Sequence, residues 1–168
     1  MADEKIGLVG YGTVGREIAR HLIKAHGALS VVDSDLARGE EMRAAGATPV
    51  EDLAALAADC DAIVLSLPGP PAVRAVLDGP SGIIANANPG LLIVDTTSSD
   101  PATGTEMARR AKARGIAYVE APISTPCPGV TGPDTIRQGD GTFIVGASEE
   151  DFPRAEALLR PMARYIYH

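Results

Sequence analysis

The chain has 168 residues, 45% of them hydrophobic and 22% charged, with a net charge of −7 at pH 7. That length supports one core burying about 70% of the unfolded surface, and the acidic balance with scattered basic residues excludes a nucleic-acid or anionic-membrane surface, which needs clustered Lys and Arg. No apolar run approaches the ~18 residues of a membrane span and no signal-peptide pattern precedes Lys5, so one cytoplasmic domain over 1–168 is expected.

Aromatic residues make up only 4% and Trp is absent, which leaves Val, Ile, Leu and Ala to build the core. The first predicted element is a buried strand over 5–10, followed by a helix over 13–25 with Val14, Ile18 and Leu22 on one face. Gly27 ends that helix in a left-handed conformation. A second strand, 29–33, leads to a short helix over 36–45 stopped at Gly46. A helix over 50–60, a strand over 62–68 and a helix over 71–77 come next, with Pro71 suited to a first helical turn. The run 91–95 reads as a strand, and 98–114 as a helix capped by Ser99 or Asp100 ahead of Pro101. Gly115 ends it, and 116–121 returns to a strand.

The segment 122–141, rich in Pro, Gly and Thr, breaks this rhythm and reads as a long loop. A strand over 142–147 follows, then a helix from about Ser148, where Ser148 and Asp151 suit a capping box. A last short strand covers 164–168. The alternation of strands and helices predicts an α/β fold of Rossmann type, a doubly wound and mainly parallel sheet with helices on both faces.

The glycines Gly10, Gly12 and Gly15 sit where the first strand turns into the first helix. In that context Gly10 permits the tight turn, Gly12 lets backbone approach a pyrophosphate, and Gly15 lets helix and strand pack closely. The candidate cradle is therefore the backbone of Gly10, Tyr11, Gly12, Thr13, Val14 and Gly15, with free N–H groups at the helix start facing phosphates. Asp33 ends the second strand 18 residues after Gly15. Its carboxylate, with Ser34 beside it, can accept from the adenosine ribose hydroxyls and repel a 2′-phosphate. Ser34 and Asp35 bring no arginine for that phosphate, so NAD is expected over NADP.

Thr97 and Ser98 lie in a hydroxyl-rich run just past the strand 91–95, the edge at which open α/β sheets hold ligands; helix capping by Ser99 or Asp100 accounts for part of that run. Ser124 also follows a strand, and hydrogen bonding to a substrate carboxylate or hydroxyl suits it better than a nucleophile's role, since no histidine stands as a partner. Cys60 and Cys127 carry no metal spacing and read as free thiols in a reducing compartment. Cys127 lies between Pro126 and Pro128, with nothing nearby in sequence to lower its pKa. His21 and His26 read as solvated or capping residues of the first helix, and Glu149, Glu150 and Asp151 as helix-start acids. No metal site and no catalytic residue emerge.

The ordered set "GLVGYGTVGREIARHLIKA", Asp33, "LSLPGPPAVRAVL", "VDTTSSDPA" and "EAPIS" resembles the β-hydroxyacid dehydrogenase family, over nearly the whole chain. The resemblance implies that Leu67 and Pro68 contact the nicotinamide half of NAD, that Thr97 and Ser98 take the hydroxyl positions of the family's D-x-S-T-x-x-P, and that Ser124 is the substrate-binding serine. The implied reaction is hydride transfer between NAD and a short hydroxy acid or its semialdehyde. Two departures stand out. Thr125 and Pro126 replace the paired glycines that follow the family's serine, and the loop to Gly141 is longer.

The family also continues into a long helix and an all-helical domain that carry its proton-transferring lysine. None of Lys5, Lys24 and Lys112 matches that position, so the chain is expected to bind NAD yet turn over hydroxy acids poorly alone. Two alternatives stay open: a stand-alone module that binds or senses NAD without catalysis, and a subunit completed by a separate helical partner. The resemblance further implies exposed apolar surface near the C-terminus, and with it a homodimer or exchange of the terminal segment between chains.

Overall fold

In the computed structural model, which describes residues 4–125 and 131–168, six parallel strands form the principal sheet. They are β1 (Ile6–Val9), β2 (Ser30–Val32), β3 (Thr48–Pro49), β4 (Ala62–Leu65), β5 (Leu92–Asp95) and β6 (Ala117–Glu120), in the order β3-β2-β1-β4-β5-β6. The order reverses between β1 and β4, which opens a crevice at the carboxyl ends of the strands, where doubly wound sheets hold dinucleotides.

The connecting helices are α1 (Thr13–His26), α2 (Gly39–Ala44), α3 (Leu53–Asp59), α4 (Pro70–Leu77), α5 (Ile83–Asn86) and α6 (Pro101–Lys112). A second sheet of β7 (Ile123–Ser124), β8 (Gly141–Ile144) and β9 (Ala163–Tyr167) follows, with α7 (Gly132–Gln138) and α8 (Phe152–Leu159) in its connections. It adjoins the margin of the first sheet through Gly146, whose N–H donates to the Glu120 carbonyl at 2.8 Å.

The core follows the two-residue period of the strands. Ile6, Leu8, Val31, Val64, Val94 and Val119 face one way and pack with Ile18, Ala19 and Leu22 of α1 and with α8. Val9, Val32, Ile63, Leu65 and Ile93 face the other way, onto Leu56 of α3, Val73 and Leu77 of α4 and Met107 of α6. Both faces of the parallel sheet are thus covered, as burial of near-continuous apolar strands requires.

Several boundaries differ from the sequence expectation. The helix expected over 50–60 begins at Leu53, capped by Asp52, whose side chain accepts from the Ala54 N–H. The residues ahead of it pair with β2 as β3. The run 36–45 divides into a 3-10 turn at Leu36–Arg38 and then α2. Asp100, not Ser99, caps α6, accepting from the Thr103 N–H at 2.9 Å. Ser148 and Asp151 do hydrogen-bond each other, but α8 begins one turn later, at Phe152.

The expected long loop over 122–141 contains β7 and α7. Two- and seven-residue elements are too short to announce themselves by period, and long-range contacts hold α7 in place. Glu17 of α1, only 8% exposed, accepts from Arg137 Nε at 2.9 Å and from Arg20 Nε at 3.2 Å. His21, expected to be solvated or capping, instead sets its Nε2 2.7 Å from the Ile136 carbonyl oxygen.

At the amino edge of the sheet, Arg154 of α8 bonds Glu4 at 2.7 Å, the Gly90 carbonyl at 2.8 Å and the Asp61 carbonyl at 2.7 Å. Cys60 is buried and free, and burial pushes its thiol up to about 11; Cys127 lies outside the described residues. No helix among the described residues is long and apolar enough to cross a membrane. Ile144, Tyr165 and Tyr167 are large apolar side chains left exposed on β8 and β9.

Candidate cofactor site

The turn between β1 and α1 is shaped by three glycines with unequal reasons for being there. Gly10 has a φ of 98°, in the region that favours glycine, and a β-carbon on it would overlap the Ser66 carbonyl. A β-carbon on Gly15 would overlap the Gly10 carbonyl, because α1 leaves the strand at contact distance. Neither position tolerates a side chain in this packing. Gly12 differs. Its φ of −71° and ψ of −163° suit any residue, and among the described residues a β-carbon there would meet nothing nearer than the Arg38 guanidinium at 3.8 Å. The protein's own packing does not require that glycine.

The start of α1 is open as well. Asp52, Asp100 and Thr131 cap α3, α6 and α7, whereas α1 starts on Gly12 with no side-chain cap and no acid in its first turn. Its leading N–H groups and helix dipole therefore face the crevice with positive character.

Asp33 stands at the carboxyl end of β2. Its Oδ2 accepts from the Tyr11 N–H at 2.5 Å and its Oδ1 from the Asp35 N–H at 2.8 Å, which fixes the carboxylate while leaving lone pairs on both oxygens. Tyr11 takes part through its backbone alone, since its side chain is 2% exposed in the core. Ser34 and Asp35 bring no arginine to Asp33, but Arg38 does. The 3-10 turn brings its Nη1 to 2.7 Å from the Tyr11 carbonyl and 3.7 Å from Asp33 Oδ2. Its sequence signal is a basic residue five positions past Asp33, one short turn beyond Ser34 and Asp35.

From Gly10 the site runs on to β4 and β5. A β-carbon on Gly10 would also lie 3.3 Å from Leu67, so that side chain abuts the glycine turn. The Leu67 N–H donates to Thr97 Oγ1 at 3.1 Å, and Thr96 Oγ1 donates to the Leu65 carbonyl at 2.7 Å. Thr97 is 6% exposed, so its hydroxyl braces the Leu67 loop. Asp33, Tyr11, Gly10, Leu67 and Thr97 are thus joined in one contiguous chain of contacts. Thr13, Ser34, Pro68 and Ser98 lie exposed beside it, and Val14 is half-buried against the core. Ser124 sits apart from that chain, half-buried on β7 opposite Thr142.

Asp95 was not foreseen. It is 1% exposed at the end of β5 and accepts from the Thr97 N–H at 2.9 Å and the Tyr118 hydroxyl at 2.6 Å. Burial raises its pKa, partly opposed by those hydrogen bonds. Burial and the neighbouring Asp95 charge raise Glu120 too, and burial carries the Tyr118 phenol far above its ordinary value. Asp95, itself held by Tyr118, orients the Thr97 backbone from below the site.

Comparison with known proteins agrees with this geometry. Residues 5–168 match the family described as the NAD binding domain of 6-phosphogluconate dehydrogenase. The chain belongs to that family. It is an NAD-binding domain of the β-hydroxyacid dehydrogenase-like oxidoreductases. Over 98% of its length it is 35% identical to 2-(hydroxymethyl)glutarate dehydrogenase of Eubacterium barkeri, covering 52% of that protein. Over 99% it is 34% identical to the mitochondrial protein named "Probable 3-hydroxyisobutyrate dehydrogenase" in Dictyostelium discoideum, covering 50% of it. A solved 3-hydroxyisobutyrate dehydrogenase of Salmonella typhimurium superimposes with a TM-score of 0.87 at 25% identity, over 99% of this chain and 56% of that one. The chain spans about half the length of the curated relatives it matches. This family's doubly wound fold and NAD-binding assignment agree with the expectation from the glycine turn and Asp33.

Proposed function

We propose that this domain holds NAD across the β1–β4 crevice for hydride transfer to or from a short hydroxy acid or its semialdehyde. The observation that carries this reading is Gly12, a glycine that neither backbone conformation nor neighbouring protein atoms demand. A missing side chain that the fold does not need is accounted for by a ligand that needs the space. The open N-terminus of α1 suits the pyrophosphate, the free lone pairs of Asp33 suit the ribose hydroxyls, and Leu67 and Pro68 suit the nicotinamide side. Bound there, NAD supplies the hydride acceptor or donor.

Ser98 and Ser124, at the carboxyl ends of adjoining strands, are the proposed substrate contacts, with Thr97 acting on the cofactor side through Leu67. Proton transfer then falls to a group outside the elements described. Lys5 lies at the amino end of β1, paired with Asp59 at 2.5 Å, and Lys24 and Lys112 are exposed on α1 and α6. General acid–base help is worth ~10²–10⁴-fold, so turnover by this chain alone is expected to be poor. The exposed Ile144, Tyr165 and Tyr167 support a homodimer formed through the second sheet.

The test is calorimetric titration of the chain with NAD, beside Gly12→Val. The parent chain is expected to bind NAD, and Gly12→Val to lose at least about tenfold in affinity while its melting temperature falls by only about 2–4 °C from the poorer N-cap. Equal affinity in the two chains would remove the basis of the reading.

A further inference from the structure

Arg38 stands between the glycine turn and Asp33, and its hydrogen bonds divide its charge unevenly. Nη1 donates to the Tyr11 carbonyl at 2.7 Å, while Nε donates to Asp35 Oδ2 at 3.1 Å. Nη1 is also the nearest atom to the open side of Gly12 and lies 3.7 Å from Asp33 Oδ2. The guanidinium therefore sits at the ribose end of the cofactor reading given above, on which this inference rests. A guanidinium in such a place is the group suited to a 2′-phosphate, through short charge-assisted hydrogen bonds.

Here that cation is engaged. Its Nε is held by Asp35 and its Nη1 by a backbone carbonyl, with Asp33 supplying a second negative charge close by. We propose that Asp35 is a selectivity residue that withholds Arg38 from a 2′-phosphate, so that preference for NAD rests on two carboxylates with separate tasks. Asp33 receives the ribose hydroxyls and repels the phosphate directly. Asp35 removes the cation that would offset that repulsion.

The pair contributes little else. The Asp35 side chain is 52% exposed and that of Arg38 31%, and ion pairs so exposed add little to stability. Asp35 also caps the 3-10 turn, accepting from the Ala37 N–H at 3.2 Å through Oδ1. Asparagine keeps that acceptor and drops the charge, so Asp35→Asn separates the two roles.

The experiment measures Kd for NAD and for NADP by calorimetry on the full chain, on Asp35→Asn, on Arg38→Gln and on the double variant. In Asp35→Asn the ratio of the NADP to the NAD constant is expected to fall about tenfold. In the double variant it returns to the parent value, because the released cation is gone. Arg38→Gln alone moves the ratio by less than about twofold, since Asp33 and Asp35 already balance its charge. An unchanged ratio in Asp35→Asn, or a shift that persists in the double variant, overturns the proposal while leaving NAD binding intact. A parent chain that binds neither nucleotide overturns the cofactor reading itself, and this inference with it.

Discussion

Around Gly12 the chain builds mostly with backbone: carbonyls and N–H groups of residues 10–15 meet Ser66, Asp33 and Val32, and Asp33, Arg38 and Arg16 add side-chain polarity. Around α7 it builds with side chains instead, since Glu17, Arg20, His21 and Arg137 fasten a seven-residue helix to α1 across more than a hundred residues of sequence. The first region tolerates almost no change of shape, because main-chain atoms in contact have nowhere to go. The second is fastened at half-exposed arginines that can turn to water when a partner is lost. Rigidity thus lies on the cofactor side of the molecule, and adjustability at the contact between α7 and α1.

The sharpest way to break that contrast is at Gly15. Gly15→Ala places a methyl group on the Gly10 carbonyl, where no flexible side chain can yield, and is expected to cost about 3–4 kcal/mol in urea unfolding. Gly12→Ala, one turn away, is expected to cost only about 0.5–1 kcal/mol, the difference between glycine and alanine as the N-cap of α1. Similar losses at the two positions would erase the distinction between a glycine required by packing and one kept for a ligand.

Glu17→Ala probes the other region with a smaller effect. It removes an acceptor shared by two arginines that are each about half exposed, so a loss of about 1–2 kcal/mol is expected. NAD affinity should stay within about twofold of the parent value. A fall as deep as that expected of Gly12→Val would mean that α7 shapes the cofactor site after all.

The mildest effect concerns pH. Asp95 and Glu120 both have raised pKa values in the folded chain, chiefly from burial. The native state therefore binds their protons more tightly than the unfolded chain does. The stability they contribute is full below about pH 4, the ordinary carboxylate range, and is lost as pH rises through the raised values. Asp95→Asn with Glu120→Gln should flatten that decline when unfolding free energy is followed from acid to neutral pH. A decline of unchanged slope would place its origin elsewhere.

Much of this was legible in the residues because it depends on local period and local turn chemistry. The alternation of apolar runs with helical spacing yields β1, α1, β4, β5 and α6 within a few positions, and the three glycines announce the turn. Leu67 entered through the resemblance and Thr97 already through its place past the strand 91–95, and the structure adds why they belong together, since one holds the other's N–H. The parts that escaped are those decided by distant partners. β3 and β7 are two residues each, α7 has no period to detect, and the burial of Asp95 depends on Tyr118 in the neighbouring strand. Arg38 lies five residues past Asp33, and only the 3-10 turn brings it back to that carboxylate.

Arg154 gives the fold an order of assembly as well as a fastening. Its guanidinium joins Glu4, Gly90 and Asp61, groups 150, 64 and 93 residues away along the chain. During synthesis the sheet's amino edge therefore waits for α8: until residue 154 has emerged, the Gly90 and Asp61 carbonyls stay with water and the first strand's lead-in stays unpinned. Contacts of such long sequence separation are entropically slow to close. This domain should complete its native structure only once α8 has emerged, rather than strand by strand as it appears.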